Sequence, residues 1–277
     1  MSLADRTDAS PDTGDRPNGV SGRRIRAIVR RQALAQLRDP GYVFLLLALP
    51  VIDVVLFTTI GSAYGDDPAA EQILFNGILL FHLIWQLALA GSLGFLEEVW
   101  SRNVLNLLTT PLREVEYAVA LFIIGLARSV IAASLIGVFG VAMYSVDPSS
   151  AGLVLIPAAI ALLLIGWAVS MLVIGLTLQI GESAEVFSWA TLMLLLPISG
   201  VFYPVDALPG ALQGIANLVP ITRAFRAIQT ELGGGGPVAG DLWFAGIGAV
   251  AVVVLAWLFV LRQLRRFRQE GWVSKFT

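Results

Sequence analysis

The sequence has no cysteine and one histidine, His82. Without thiols there is no disulfide framework, no thiolate metal site and no cysteine nucleophile. A single imidazole leaves little room for a histidine-built metal centre or a Ser-His-Asp triad. Charge is scarce too: Asp, Glu, Lys and Arg make up 14% of 277 residues, against about 25% in a soluble domain. No Gly-x-x-x-x-Gly-Lys-[Ser/Thr] run is present, so there is no phosphate-cradling loop for ATP. The Gly233–Gly236 tract is followed by neither Lys nor Ser/Thr and reads as a flexible linker. No catalytic, cofactor or metal site is expected, and no nucleic-acid partner. What the sequence has in abundance is apolar residues, 57% of the chain, with a mean hydropathy of +0.79. Sparse charge gathered between long apolar runs marks a membrane protein.

Residues 1–22 are rich in Asp, Ser, Thr, Pro and Gly and are expected to form a disordered tail. They lack the short apolar core of a signal peptide. A bilayer core of ~30 Å needs about 20 helical residues. Six stretches meet this: Tyr42–Ala63, Ile73–Leu96, Tyr117–Tyr144, Gly152–Ile180, Val186–Tyr203 and Leu242–Leu264. Only Gly181–Glu185 separates the fourth from the fifth, which predicts a tight helical hairpin. Arg23, Arg24, Arg26, Arg30, Arg31 and Arg38 precede the first span; Arg262, Arg265, Arg266, Arg268 and Lys275 follow the last. Asp66, Asp67, Glu71 and Asp147 lie in the connections on the opposite side. Basic residues stay inside, so both termini are expected in the cytoplasm. Arg223 and Arg226, in the last external segment, run against the rule locally.

The segments outside the spans carry patterns of their own. Ile25, Ile28, Val29, Leu34 and Leu37 approximate a helical stripe among the arginines, as in a helix lying in the membrane interface. Asp39-Pro40-Gly41 breaks it. Between spans two and three, Val104, Leu105, Leu107 and Leu108 form a short amphipathic helix stopped by Pro111 and flanked by Glu97, Glu98, Glu114 and Glu116. After span five, Ala211, Leu212, Ile215, Ala216 and Val219 have helical spacing between Pro209 and Pro220, and a second short helix covers Thr222–Leu232. Half-apolar helices bracketed by prolines predict an external re-entrant hairpin.

Three motifs carry a family resemblance. Leu37-Arg38-Asp39-Pro40 opens span one. Glu97-Glu98 leads into Asn103-Val104-Leu105-Asn106-Leu107-Leu108-Thr109-Thr110-Pro111-Leu112. Leu196-Pro197-Ile198-Ser199-Gly200-Val201-Phe202-Tyr203-Pro204 is followed by Leu208-Pro209 and by Asn217-Leu218-Val219-Pro220-Ile221-Thr222. In this order they resemble the type-2 permease subunit of ABC exporters, the daunorubicin or drug-resistance branch above all. Asn103 stands where the family usually has Gly, and Val219 separates Asn217 from Pro220. The resemblance implies an all-α integral membrane protein of six transmembrane helices, with an N-terminal interfacial helix (23–39), a cytoplasmic coupling helix, an extracellular re-entrant hairpin and a short tail (266–277) after a permease domain (40–265). It implies a bacterial cytoplasmic membrane, two separate ABC ATPase subunits holding ATP and Mg, and a second permease copy, as a homodimer among membrane lipids.

The resemblance also points to residues. The coupling role falls on Glu97, Glu98, Val104, Leu105, Leu108, Thr110 and Pro111, whose apolar residues would fill an ATPase groove while charges set register; an ordinary membrane-surface helix is the alternative. Gly200, Phe202, Tyr203, Pro204, Pro209 and Pro220 are expected at an extracellular gate, with Pro197, Gly200 and Gly233–Gly236 as hinges. Asp53 and Arg128 each sit about eleven residues into a span, where an unpaired charge costs ~2.5–3.5 kcal/mol or more. They are expected to form an ion pair, either as packing or along the substrate path. His82, near Asn76 and Gln86, fits interhelical hydrogen bonding or a proton relay. Glu182 and Glu185 fit a cavity entrance or a solvated turn. Trp85, Trp167, Trp189, Trp243 and Trp257 fit interface anchors or a stack for a planar drug.

The leading reading is an exporter subunit for a hydrophobic, amphipathic drug or lipid-like substrate working by alternating access, a cell-envelope lipid or glycan being the second candidate. A proton-coupled secondary transporter would use Asp53, His82 and Arg128. An intramembrane transferase would need clustered catalytic acids, whereas the carboxylates here are scattered.

Overall fold

The computed structural model describes residues 19–63, 68–104, 106 and 110–270. The amphipathic arginine-rich stretch forms α1 (Gly22–Arg38). It ends at Asp39, whose carboxylate accepts a 2.8 Å hydrogen bond from the Gly41 N–H. Pro40 then begins α2 (Pro40–Ala63), where its missing N–H costs nothing. Next come α3 (Pro68–Trp100) and α4 (Glu114–Tyr144). A one-turn 3-10 helix leads into α5 (Leu155–Ile180).

The chain reverses through the 3-10 turn Gly181–Ala184, with Gly181 at φ +70°, into α6 (Glu185–Ser199). The short helices α7 (Gly210–Leu218) and α8 (Pro220–Leu232) precede the long α9 (Ala239–Glu270). α9 continues past the expected permease boundary at 265. Most of the expected N-terminal tail, and residues 271–277, lie outside the described residues.

Helix α3 is the axis of the bundle. It is buried from Phe75 to Leu96 without a break, and it packs most extensively against α4 and α5, then α2. On the far side of α5 lies α9, and α8 is wedged between α5 and α9. By contrast α2 and α9 leave most of their apolar surface uncovered, as helices facing lipid or another membrane chain do.

Five stretches are long and apolar enough to cross a membrane: 40–60, 70–100, 114–144, 152–199 and 239–267. The fourth, of 48 residues, would be about 72 Å long as one straight helix, more than twice a hydrocarbon core of ~30 Å. The turn at Gly181 folds it in two. Beyond the end of α6, Val201 lies against Gly77 near the start of α3, and Thr222 of α8 donates to the Ile198 carbonyl at 2.9 Å. The second half thus returns to the end of the bundle where α5 began. One expectation is corrected: Glu97 and Glu98, expected in the connector after span two, belong to the last turn of α3. The break falls at Ser101–Asn103, with Arg102 at φ +54°.

Candidate functional site

At one end of the bundle two buried carboxylates clamp α1. Glu116, with no side-chain exposure, accepts from Arg24 at 2.6 and 2.8 Å, from the Ser21 N–H at 2.6 Å and from the Arg113 N–H at 3.0 Å. The hydrogen bond to Glu116 raises the Arg24 guanidinium above its ordinary pKa. Glu98, 4% exposed, accepts from Arg31, from Gln32 Nε2 at 2.9 Å and from Asn103 Nδ2 at 2.6 Å. Arg24 and Arg31 are seven residues apart, two turns on one face of α1, so one face of this helix meets both α3 and α4.

The clamp frames a cavity of about 410 Å³. Ala27, Ile28 and Arg31 form the α1 wall; Asn103, Asn106, Thr110 and Pro111 form the opposite one. Thr110 and Pro111 are exposed there. Val104 is not: at 3% exposure it belongs to a core cluster with Phe95 and Tyr117. Leu105 and Leu108 lie outside the described residues. Glu97 stands apart from Glu98, its charge acting on Tyr42 and Arg128 instead.

The expected Asp53–Arg128 ion pair is not formed. Asp53 Oδ2 lies 3.0 Å from His82 Nε2, linking α2 to α3. Arg128 donates from Nε and Nη2 to Gln86 Oε1, at 3.2 and 3.0 Å, and its guanidinium sits 5.6 Å from the Tyr42 ring centroid. Register explains the difference. Tyr42, at the start of α2, is level with Arg128 in the middle of α4, and Asp53 is about 16 Å further along its helix. Three mid-helix polar residues of α3 reach other elements: Asn76 to Ser150 at 3.1 Å, His82 to Asp53, and Gln86 to the Leu45 carbonyl at 3.4 Å and to Arg128.

Asp53→Leu leaves the buried His82 Nε2 without its acceptor, a loss of about 1–3 kcal/mol. Melting of the purified protein in detergent is expected to drop for Asp53→Leu and for His82→Leu alone, and to recover in the double variant. If the two losses simply add, the pair does not hold α2 to α3.

The opposite end gathers the other expected positions. Gly200, at φ +74°, caps α6 and its carbonyl accepts from Gln229 Nε2 at 2.6 Å. Phe202 stacks on Phe57 of α2 at 4.3 Å, and the Tyr203 hydroxyl donates to the Pro197 carbonyl at 2.6 Å. Pro204 precedes a 3-10 turn, Pro209 is the N-cap of α7 and Pro220 begins α8. Arg223 bonds Asp241 at 2.8 Å and covers Phe244, and Arg226 bonds Asn217, so both basic residues of this segment are tied down locally.

Residues 23–231 match the family model described as ABC-2 type transporter. The chain belongs to the ABC-2 type transporter family. It is therefore a multi-pass membrane protein and a permease component without an ATPase site of its own, and membership implies association with ABC ATPase subunits. A search among curated proteins finds no match. Within this ABC-2 permease the tryptophans behave mostly as packing: Trp85 meets Trp189 edge-on at 5.8 Å and Trp167 meets Phe122 at 5.3 Å, Trp257 packs on the α5–α9 cluster, and Trp243 alone of the five is largely exposed. Glu182 and Glu185 are exposed at the turn between α5 and α6. Sequence reasoning missed Arg24, Arg31 and Glu116 as a set. Their signal was the seven-residue arginine spacing together with acidic residues at the facing ends of two spans.

Proposed function

We propose that this permease is the membrane subunit of an ATP-driven exporter of the drug-resistance branch, moving an amphipathic drug-like molecule outward by alternating access. Two ATPase subunits, holding ATP and Mg, act on two copies of the chain in a bacterial cytoplasmic membrane. Each copy crosses six times, α5 and α6 counting as separate crossings, with both basic ends in the cytoplasm. The observation that carries this reading is the cavity of about 410 Å³ between α1 and the Asn103–Pro111 connector, held open by buried Glu98 and Glu116. A cleft with one helical wall that mixes Ala27 and Ile28 with arginines, and one largely polar wall, is a fit for a docking helix or loop of a soluble partner. ATP binding by the docked subunit would be transmitted along α3 and α4, whose ends carry the two carboxylates. At the other end, the Gly200–Pro209 segment and the α7–α8 pair would open as the gate, with Pro197, Gly200 and Gly233–Gly236 as hinges.

The test is ATP hydrolysis in lipid nanodiscs by the chain alone and with its co-expressed ATPase, against drugs and cell-envelope lipids. Hydrolysis only in the complex, stimulated by amphipathic drugs and suppressed by filling the cleft with Ala27→Trp, is the expected result. Stimulation by envelope lipids or glycans alone would move the substrate to that class. Transport by the chain alone under a proton gradient would overturn the reading.

A further inference from the structure

A second cavity, of about 170 Å³, lies between α1, α2 and α4, away from the cleft. Most of its lining is aliphatic, including Leu37, Leu46, Ile123 and Ile131. Three residues supply its polar lining: Gln36, Tyr42 and Arg128. Two of them have a buried donor with no partner, Gln36 Nε2 and Arg128 Nη1, and the Tyr42 hydroxyl is hydrogen-bonded to Glu97. Gln36 is 7% exposed and Arg128 5%. The other guanidinium nitrogens of Arg128 that bond anything go to Gln86, so Nη1 is the one left over. Arg128 forms no ion pair among the described residues.

Two unmet donors in one apolar cavity, one of them cationic, are the complement of an anionic head. Leaving a charged donor buried and unbonded is costly, which argues for an occupant. Glu97 accepts the Tyr42 hydrogen bond and acts electrostatically on Arg128, but it does not line the cavity and leaves Arg128 Nη1 unbonded. The walls favour an amphiphile over a free ion. Leu37, Ile123 and Ile131 line the cavity and are also exposed on the outer surface, so chains can leave the cavity directly into the surrounding hydrocarbon.

We propose that this cavity is a binding site for one anionic membrane phospholipid, its phosphate held by Arg128 and Gln36 beside Tyr42 and its acyl chains running out between α2 and α4. The lipid comes from the leaflet on the side of α1 and holds that helix against the bundle. The site does not depend on the transport reading and is tested on the chain without any ATPase.

The experiment is native mass spectrometry of the purified full chain in detergent, with phosphatidylglycerol, phosphatidylcholine or inorganic phosphate added. Phosphatidylglycerol is expected to be retained about tenfold better than phosphatidylcholine, the worth of one charge-assisted hydrogen bond. Arg128→Gln should abolish that preference. Ala127→Trp, at an exposed lining position that tolerates bulk, should block retention with the charge intact, whereas Arg262→Gln on α9 should change nothing. Equal retention of the two lipids overturns the site. So does full retention in both Arg128→Gln and Ala127→Trp. Displacement of phosphatidylglycerol by inorganic phosphate would mark a small-anion site and overturn the lipid assignment.

Discussion

Gly166→Val is expected to abolish accumulation of the folded protein. A Cβ at Gly166 of α5 would stand 2.7 Å from the Ile84 carbonyl oxygen and 3.0 Å from its Cα. Both obstacles are backbone of α3, so no rotamer change relieves them. One turn on, a Cβ at Gly91 of α3 would lie 1.8 Å from Ser170 Oγ of α5. The two helices therefore meet through small residues on both sides, the close approach by which membrane helices gain packing contact. Overpacking an ordinary core costs about 1–3 kcal/mol, usually shed by side-chain shifts; here the whole helix must move. Because α3 is the axis on which α2, α4 and α5 assemble, the displacement spreads to the full bundle. Fluorescence-detected size exclusion in detergent measures the folded fraction. Gly246→Ala on α9, where nothing stands within 4 Å, should equal or exceed the wild type, since Ala gains about 1 kcal/mol over Gly in a helix. A Gly166→Val protein with normal yield and melting would mean that α3 and α5 do not approach this closely.

The apolar helices were legible because apolar runs end where charge begins, and that rule failed for the end of α3, where charge is internally neutralised. Glu97 and Glu98 read as leaving the membrane, yet α3 runs on to Trp100. Arg31, Gln32 and Asn103 satisfy Glu98 there, so the helix need not end at the carboxylates. The arginines of α1 read as contacts for lipid headgroups. An amphipathic helix shows the same pattern whether its cations face phosphate or carboxylate, and only the fold brings Glu98 and Glu116 to Arg31 and Arg24. The prolines of the 204–220 segment placed α7 and α8 to within a residue or two, since proline sets the first helical position without help from tertiary structure. Their docking was not legible: Thr222 and Gln229 reach carbonyls of Ile198 and Gly200, more than twenty residues away. The Asp53–Arg128 pairing failed for the same reason. Counting residues from the start of each span assumes that the spans start level, and the offset between α2 and α4 is a property of packing that no single helix records.

Glu98→Ala is expected to lower transport by about tenfold or more, while ATP hydrolysis by the co-expressed subunit persists. Glu98 bonds side chains on both walls of the cleft, Arg31 on α1 and Asn103 on the connector. Without it α1 stays tied to the connector through Glu116, which holds Arg24 and the Arg113 N–H, but the link at Asn103 is lost. Movement of a docked partner would then be absorbed at the connector instead of reaching α3. The stability loss should be moderate: Arg31 is 43% exposed and can return to water, so the cost falls near the 1–3 kcal/mol of an unmet hydrogen bond and below the 3–5 kcal/mol of a stranded buried charge. Glu98→Gln, which keeps one acceptor oxygen, should fall between. Transport and hydrolysis measured in the same proteoliposomes separate the cases. Normal transport in Glu98→Ala would show that coupling does not need a rigid cleft. Transport and hydrolysis falling together, in proportion to lost folded protein, would reduce Glu98 to a fastening for α1 and leave the cleft without a role in coupling.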